Sequence, residues 1–147
     1  MIAFISTEHP GFLEFLQNVE ELSKEKIPVL VDKETSAIYL EKRLNKFTVQ
    51  SLFDVGGVTQ DDHSQTQITA SNMDLFLCDY ERHSEYSLSG IVSIENWKLE
   101  ECKRFILERL HQWVIQNKIT CVINEGPNNF FLRVVYEYCR QNNLKYF

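Results

Sequence analysis

The sequence predicts an α/β domain in which a mainly parallel sheet of about five or six strands lies between two layers of helix. Three observations carry that prediction. Short, wholly apolar runs recur along the chain, as buried parallel strands require when helices cover both of their faces. Between them come longer stretches whose apolar residues are spaced three and four apart, the period of a helix with one buried face. At the junctions stand Gly, Pro, Asn or a carboxylate, residues that turn a chain or start a helix.

The elements follow in order. Met1-Ile-Ala-Phe-Ile5 is a first strand, and Phe12, Phe15, Leu16, Val19 and Leu22 then mark a helix. Pro10 fits the first turn of that helix, where its missing N–H costs nothing. Pro28-Val-Leu-Val31 is a second strand and ends at Asp32. Ile38, Tyr39, Leu40 and Leu44 indicate a helix, and Phe47 to Val55 either extends it or forms an edge strand. Gly56 to Gln67 is the most polar stretch, a long loop of the kind that serves function, and 56–72 is a candidate lid. Leu75-Phe-Leu-Cys78 and Gly90-Ile-Val-Ser-Ile94 read as further strands.

Asn96 opens a helix that runs to about Asn117, with Leu99, Cys102, Ile106, Leu110 and Trp113 on one stripe. Its Glu100 and Arg104 are the favourable i,i+4 order, worth ~0.3 kcal/mol. The close is a strand at Thr120-Cys-Val-Ile123, a turn at Asn124 to Asn129 and a helix from Phe130 to Gln141. Phe131, Val134, Val135 and Tyr138 form its buried stripe, and Leu144 to Phe147 a last short strand. With no repeat and no Pro- or Ser-rich linker, residues 1–147 read as one three-layer Rossmann-like domain.

Composition narrows the function. Twenty-one acids against fifteen Lys and Arg leave a net charge of -6, which disfavours binding to duplex DNA through its phosphates. No apolar run approaches the ~20 residues of a membrane span. Cys78, Cys102, Cys121 and Cys139 show no C-x-x-C spacing and lie in apolar stretches, so they read as reduced, structural thiols of a cytoplasmic protein. The glycine signatures of P-loop and dinucleotide sites are missing, as is the G-x-S-x-G elbow.

A parallel sheet covered on both faces puts its ligand crevice outside the carboxyl ends of the strands. The residues that follow each strand are therefore the candidates. Ser6, Thr7, Glu8 and His9 follow the first, Asp32 and Glu34 the second, and Asp79, Glu81, Arg82 and His83 the run at 75–78. Glu95 and Asn96 follow the run at 90–94, and Asn124, Glu125, Asn128 and Asn129 the strand at 120–123. Converging carboxylates hold Mg²⁺ for phosphoryl transfer or phosphodiester hydrolysis. Alternatively, single carboxylates take ribose hydroxyls while helix N-termini hold phosphate. Helix capping competes with both, because acids at helix starts complement the dipole and satisfy free N–H groups.

The turn at 124–129 carries most weight. Gly126 permits close backbone approach and Pro127 can start the helix, leaving amides aimed at an anion. Glu125, Glu8 and His9 are the candidate acid–base residues, and Ser6, Thr7, Asp32, Asp79, Asn124, Gly126 and Asn128 the candidate ligand contacts. Locally, Ile123-Asn124-Glu125-Gly126-Pro127 resembles the strand–Glu–Gly–Pro turn of Toprim domains, which implies a catalytic role for Glu125; no Asp-x-Asp pair follows it. The strand–turn–helix close is similar to the second half of SLOG-type nucleotide-binding domains, with one glycine where they carry two. Both likenesses cover only this turn and its flanks.

Three readings follow. The first is a domain that binds a nucleotide or other phosphorylated small molecule and hydrolyses or transfers it, with Mg²⁺ as the natural cation. The second is a non-catalytic regulatory or adaptor protein, a homodimer or bound to a protein partner through aromatics drawn from Phe12, Phe53, Tyr86, Trp97 and Phe130. The third is a metal-dependent nuclease using Lys42, Arg43 and Lys46 against the overall charge.

Overall fold

The computed structural model describes residues 1–6, 10–55, 96–124, 126 and 130–147. Along them run β1 (Ile2–Ser6), α1 (Pro10–Leu22), β2 (Ile27–Val31), α2 (Glu34–Glu41) and β3 (Phe47–Ser51). After the intervening residues come α3 (Asn96–Gln116), β4 (Cys121–Asn124), α4 (Phe130–Gln141) and β5 (Lys145–Tyr146). The strands form one sheet in the order β3-β2-β1-β4-β5, and every neighbouring pair is parallel. This is the α/β architecture expected, a Rossmann-like sheet flanked by helices. The strands expected at 75–78 and 90–94 and the loop 56–72 lie outside the described residues.

Side chains alternate across the sheet because successive Cβ atoms of a strand point to opposite faces. On one face Ala3, Ile5, Leu30 and Val122 pack with Ile106, Leu110 and Trp113 of α3 and with Phe131, Leu132 and Val135 of α4. On the other, Phe4, Val29, Val31, Phe47 and Val49 pack with Phe12 and Leu16 of α1 and Ala37 and Leu40 of α2. Phe4 is the hub of the second layer, edge-on to Phe12 at 6.3 Å, Phe15 at 5.9 Å and Phe47 at 6.0 Å between ring centroids. Burying each such side chain contributes about 1.5–3 kcal/mol. Trp113 is fully buried, and its indole N–H donates to Gln50 Oε1 of β3 at 3.0 Å, so its polar atom is satisfied.

The structure departs from the sequence reading in three places. Phe12, expected among interface aromatics, is 8% exposed and belongs to the core. The apolar stripe of α1 is narrower than its spacing suggests: Phe12 and Leu16 are buried, but Leu22, at the end of the helix, is 86% exposed. The helix read from Ile38 to Leu44 ends at Glu41; of the two alternatives for 47–55 the structure shows the strand, Phe47–Ser51, at the sheet edge among the described residues. Its Phe47-Thr-Val-Gln-Ser alternation is that of a half-buried strand. The chain is turned into β3 by Glu20 of α1, whose Oε1 accepts the backbone N–H groups of Asn45 and Lys46. Lys46 Nζ in turn donates to the carbonyls of Glu20 and Ser23, each at 3.0 Å.

Candidate functional site

Among the described residues, the buried polar or charged side chains are Ser6, Asp32, Ser36, Ser51 and Asn124. Four of them end a strand or directly follow one. Ser6 closes β1, Asp32 follows β2, Ser51 closes β3 and Asn124 closes β4; Ser36 lies in the first turn of α2, just beyond Asp32. Ser6 and Ser51 share one row of the sheet, both paired with Val31, and Asn124 sits one row back, paired with Ile5. At ~4.8 Å per strand the four strand ends span a strip roughly 15 Å wide along the carboxyl edge.

The strand order gives this edge its meaning. From β1 the chain goes to β2 on one side, and β4 pairs on the other side of β1. The connection after β1 leads into α1 on one face, and that after β4 into α4 on the opposite face. At such a reversal two neighbouring strand ends send their connections apart and leave a crevice between them. Ser6 and Asn124 stand at that point.

Most of the polar groups on the edge hold one another. Asn124 Nδ2 donates to Tyr146 Oη at 2.5 Å, and its Oδ1 accepts the Gly126 N–H at 2.7 Å. Asn124 therefore couples the end of β4 to β5 and sets the turn that follows. Gly126 has φ 101, a left-handed conformation that a Cβ would oppose, so glycine is required there. Burial raises the Tyr146 phenol above its ordinary pKa of 10.0, and the Asn124 hydrogen bond partly offsets this. Asp54 Oδ2 accepts both the hydroxyl and the N–H of Ser51, at 2.6 and 3.1 Å. Ser36 Oγ donates to Asp32 Oδ1 at 3.3 Å. Among the described residues no buried side-chain N or O atom lacks a hydrogen-bond partner. A satisfied network of this kind is rigid.

Of the expected ligand contacts, Ser6, Asp32, Asn124 and Gly126 lie along this edge, on three adjacent strands or just after them. Thr7, Glu8, His9, Asp79, Glu125 and Asn128 lie outside the described residues. Ser36, Ser51 and Tyr146 were not anticipated as neighbours of the site. Ser36 was within reach of sequence reasoning, because it stands four residues after Asp32 at the start of a helix. Ser51 was hidden by the ambiguity of 47–55, and Tyr146 by the absence of any sequence signal that pairs it with Asn124.

Among the described residues no group of three or more His, Cys, Asp or Glu side chains is placed to hold a metal ion. Two of the cations considered for nucleic acid are turned back on the chain: Lys46 on α1, and Arg43 on Tyr39, whose carbonyl it meets at 3.0 Å and whose ring lies 3.8 Å from its guanidinium carbon. His111 is exposed, with Nδ1 2.9 Å from Tyr138 Oη. Cys121 and Cys139 are buried free thiols, and burial pushes Cys139 from 9.0 up to about 12. Among the described residues no helix is long and apolar enough to cross a membrane. Comparison with known proteins finds no family model, no curated protein and no solved structure that matches this chain.

Proposed function

We propose that the carboxyl edge of the sheet, at the junction of β1 and β4, binds a nucleotide or another phosphorylated small molecule. The observation that carries the reading is the location of the buried polar side chains: among the described residues, all five gather at this one edge. Burying a polar group costs free energy unless it is compensated, and a core that needed only packing would use apolar residues there. In an all-parallel sheet this edge, at the reversal of strand order, is where ligands bind. Ser6 and Gly126 stand next to the reversal, with Asn124 holding Gly126 in place. On the same reading Glu8, His9 and Glu125, which follow β1 and β4 in sequence, supply the acid–base groups of a hydrolysis or transfer step.

The test is a thermal-shift series with nucleoside mono-, di- and triphosphates and cyclic dinucleotides, each with and without Mg²⁺. A ligand present at 100 times its Kd adds ~2.7 kcal/mol, which for a chain of this length raises Tm by roughly 5–10 °C. A flat melting temperature across the series contradicts the proposal.

A further inference from the structure

We infer that the outer edge of β5 is a docking site for an acidic, extended segment of a partner protein, which adds to the sheet as a further strand. β5 ends the strand order, and nothing among the described residues pairs with its far side. The Lys145 N–H donates to the Thr120 carbonyl at 3.3 Å and the Phe147 N–H to the Val122 carbonyl at 3.0 Å, while the Phe147 carbonyl accepts the Asn124 N–H at 2.9 Å. Successive residues of a strand turn their backbone groups to opposite sides, so Tyr146, between these two, directs its N–H and carbonyl away from β4. Open groups of this kind are a template for another strand. The other edge of the sheet is less open, because Asp54 takes the N–H of Ser51 at the end of β3.

The charges around this edge select its occupant. Lys118 stands just before β4, and Lys145 opens β5, paired with Cys121. Arg140 lies in the last turn of α4, which runs back from the carboxyl end of β4. All three therefore gather at the amino end of β4 and β5. They are exposed, and among the described residues none of them makes an ion pair. Glu137, the acid of α4, is already held by Lys103 at 2.9 Å. In a chain of net charge -6 this corner is cationic. Like charges oppose a second copy of the same edge there, and they favour a strand that brings carboxylates. Beside the edge Tyr146 is edge-on to Tyr136 of α4 at 5.2 Å, and Tyr136 is 42% exposed, an aromatic surface for an apolar side chain. Side chains alternate along a strand, so the fitting segment alternates carboxylate and apolar residues. Its backbone supplies affinity and its side chains the selectivity.

Isothermal titration calorimetry of the intact chain with a short peptide alternating Glu and Val tests this. Its counterparts alternate Lys and Val, or keep the Glu–Val sequence with methylated backbone nitrogens. The Glu–Val peptide is expected to bind about 10-fold more tightly than either. Lys145→Glu combined with Arg140→Glu, at two exposed positions that the fold does not depend on, is expected to weaken it by about 10-fold and to turn the preference towards the Lys–Val peptide. Equal binding of the methylated peptide, an unchanged preference in the double variant, or no binding of the Glu–Val peptide overturns the inference. A dimer in light scattering that the same two substitutions abolish also overturns it, by giving the edge to a second copy. So does tighter binding of single-stranded RNA than of the peptide, which makes the corner a polyanion site.

Discussion

Replacing Asn124 by Ala removes two hydrogen bonds at once, and the structure indicates how much each is worth. The lost bonds are Nδ2 to Tyr146 Oη at 2.5 Å and the Gly126 N–H to Oδ1 at 2.7 Å. A neutral hydrogen bond contributes ~0.5–1.5 kcal/mol net, and a partner left dry costs more. Tyr146 and Gly126 are half-buried, so water can reach each in part, and the expected loss is ~2 kcal/mol. Tyr146→Phe breaks only the first bond and is expected to cost ~1 kcal/mol. Because the two substitutions share that bond, they are not additive, and a double-mutant cycle should return a coupling of ~1 kcal/mol. Urea unfolding followed by tryptophan fluorescence measures all three: with m near ~2 kcal/mol/M, Asn124→Ala lowers the midpoint by ~1 M at unchanged slope. Additive single and double variants, or an Asn124→Ala midpoint equal to the parent's, would show that this amide does not tie β4 to β5.

Other substitutions probe neighbouring parts of the account. Gly126→Ala places a Cβ at φ 101 and is expected to cost ~1–2 kcal/mol in the same unfolding assay, whereas an exposed Gly11→Ala within α1 stabilises by up to ~1 kcal/mol. Gln50→Leu leaves the buried Trp113 indole N–H without its acceptor and should destabilise by ~1–3 kcal/mol; no change would mean that the bond is not made in solution. Cys139 is held protonated by burial and by the nearby Cys121, with its pKa raised from 9.0 to about 12. Its contribution to stability is complete below pH 9 and is lost as pH rises from 9 towards 12, because the unfolded thiol ionises first. Cys139→Ala should flatten that alkaline decline; an unchanged slope assigns it to other groups, among them Tyr138 and Tyr146, both raised above 10.0 by burial.

Much of this architecture is legible in the residues because one rule governs it. A strand covered on both faces must be apolar throughout, so Ile2–Ile5 and Pro28–Val31 announce themselves, as does the alternation of strand and amphipathic helix at 121–141. The edge strand β3 escapes the rule. Polar Thr48 and Gln50 alternate with its buried residues, its run is short, and the Glu20 carboxylate that holds the backbone just before it comes from a distant part of the chain. Spacing also overstates the buried face of α1, since Leu22 lies on the expected stripe but at the very end of the helix. Periodicity marks a direction and not the extent of the layer beneath.

The candidate edge was legible as a list of residues that follow strands, and the strand order brings four of those residues together. What sequence could not supply was the distinction among them. Asn124 and Asp32 are both polar residues at or just after the ends of apolar strands, yet Asn124 fixes a turn through Tyr146 and Gly126, while Asp32 is a buried carboxylate that accepts the Ser36 hydroxyl. Burial and partner identity separate the two, and neither is encoded locally. Ser36 and Ser51 were overlooked for the same reason, because a serine inside the chain announces no burial.

The most direct measurement is the map of amide chemical-shift changes when a nucleotide is added to the ¹⁵N-labelled chain. The account predicts perturbations at Ser6, Asp32 and Gly126, with the opposite edge of the sheet, at Ile27, Phe47 and Cys121, left unmoved. Perturbations centred on Ile27, Phe47 and Cys121, or a spectrum indifferent to every nucleotide, would contradict it.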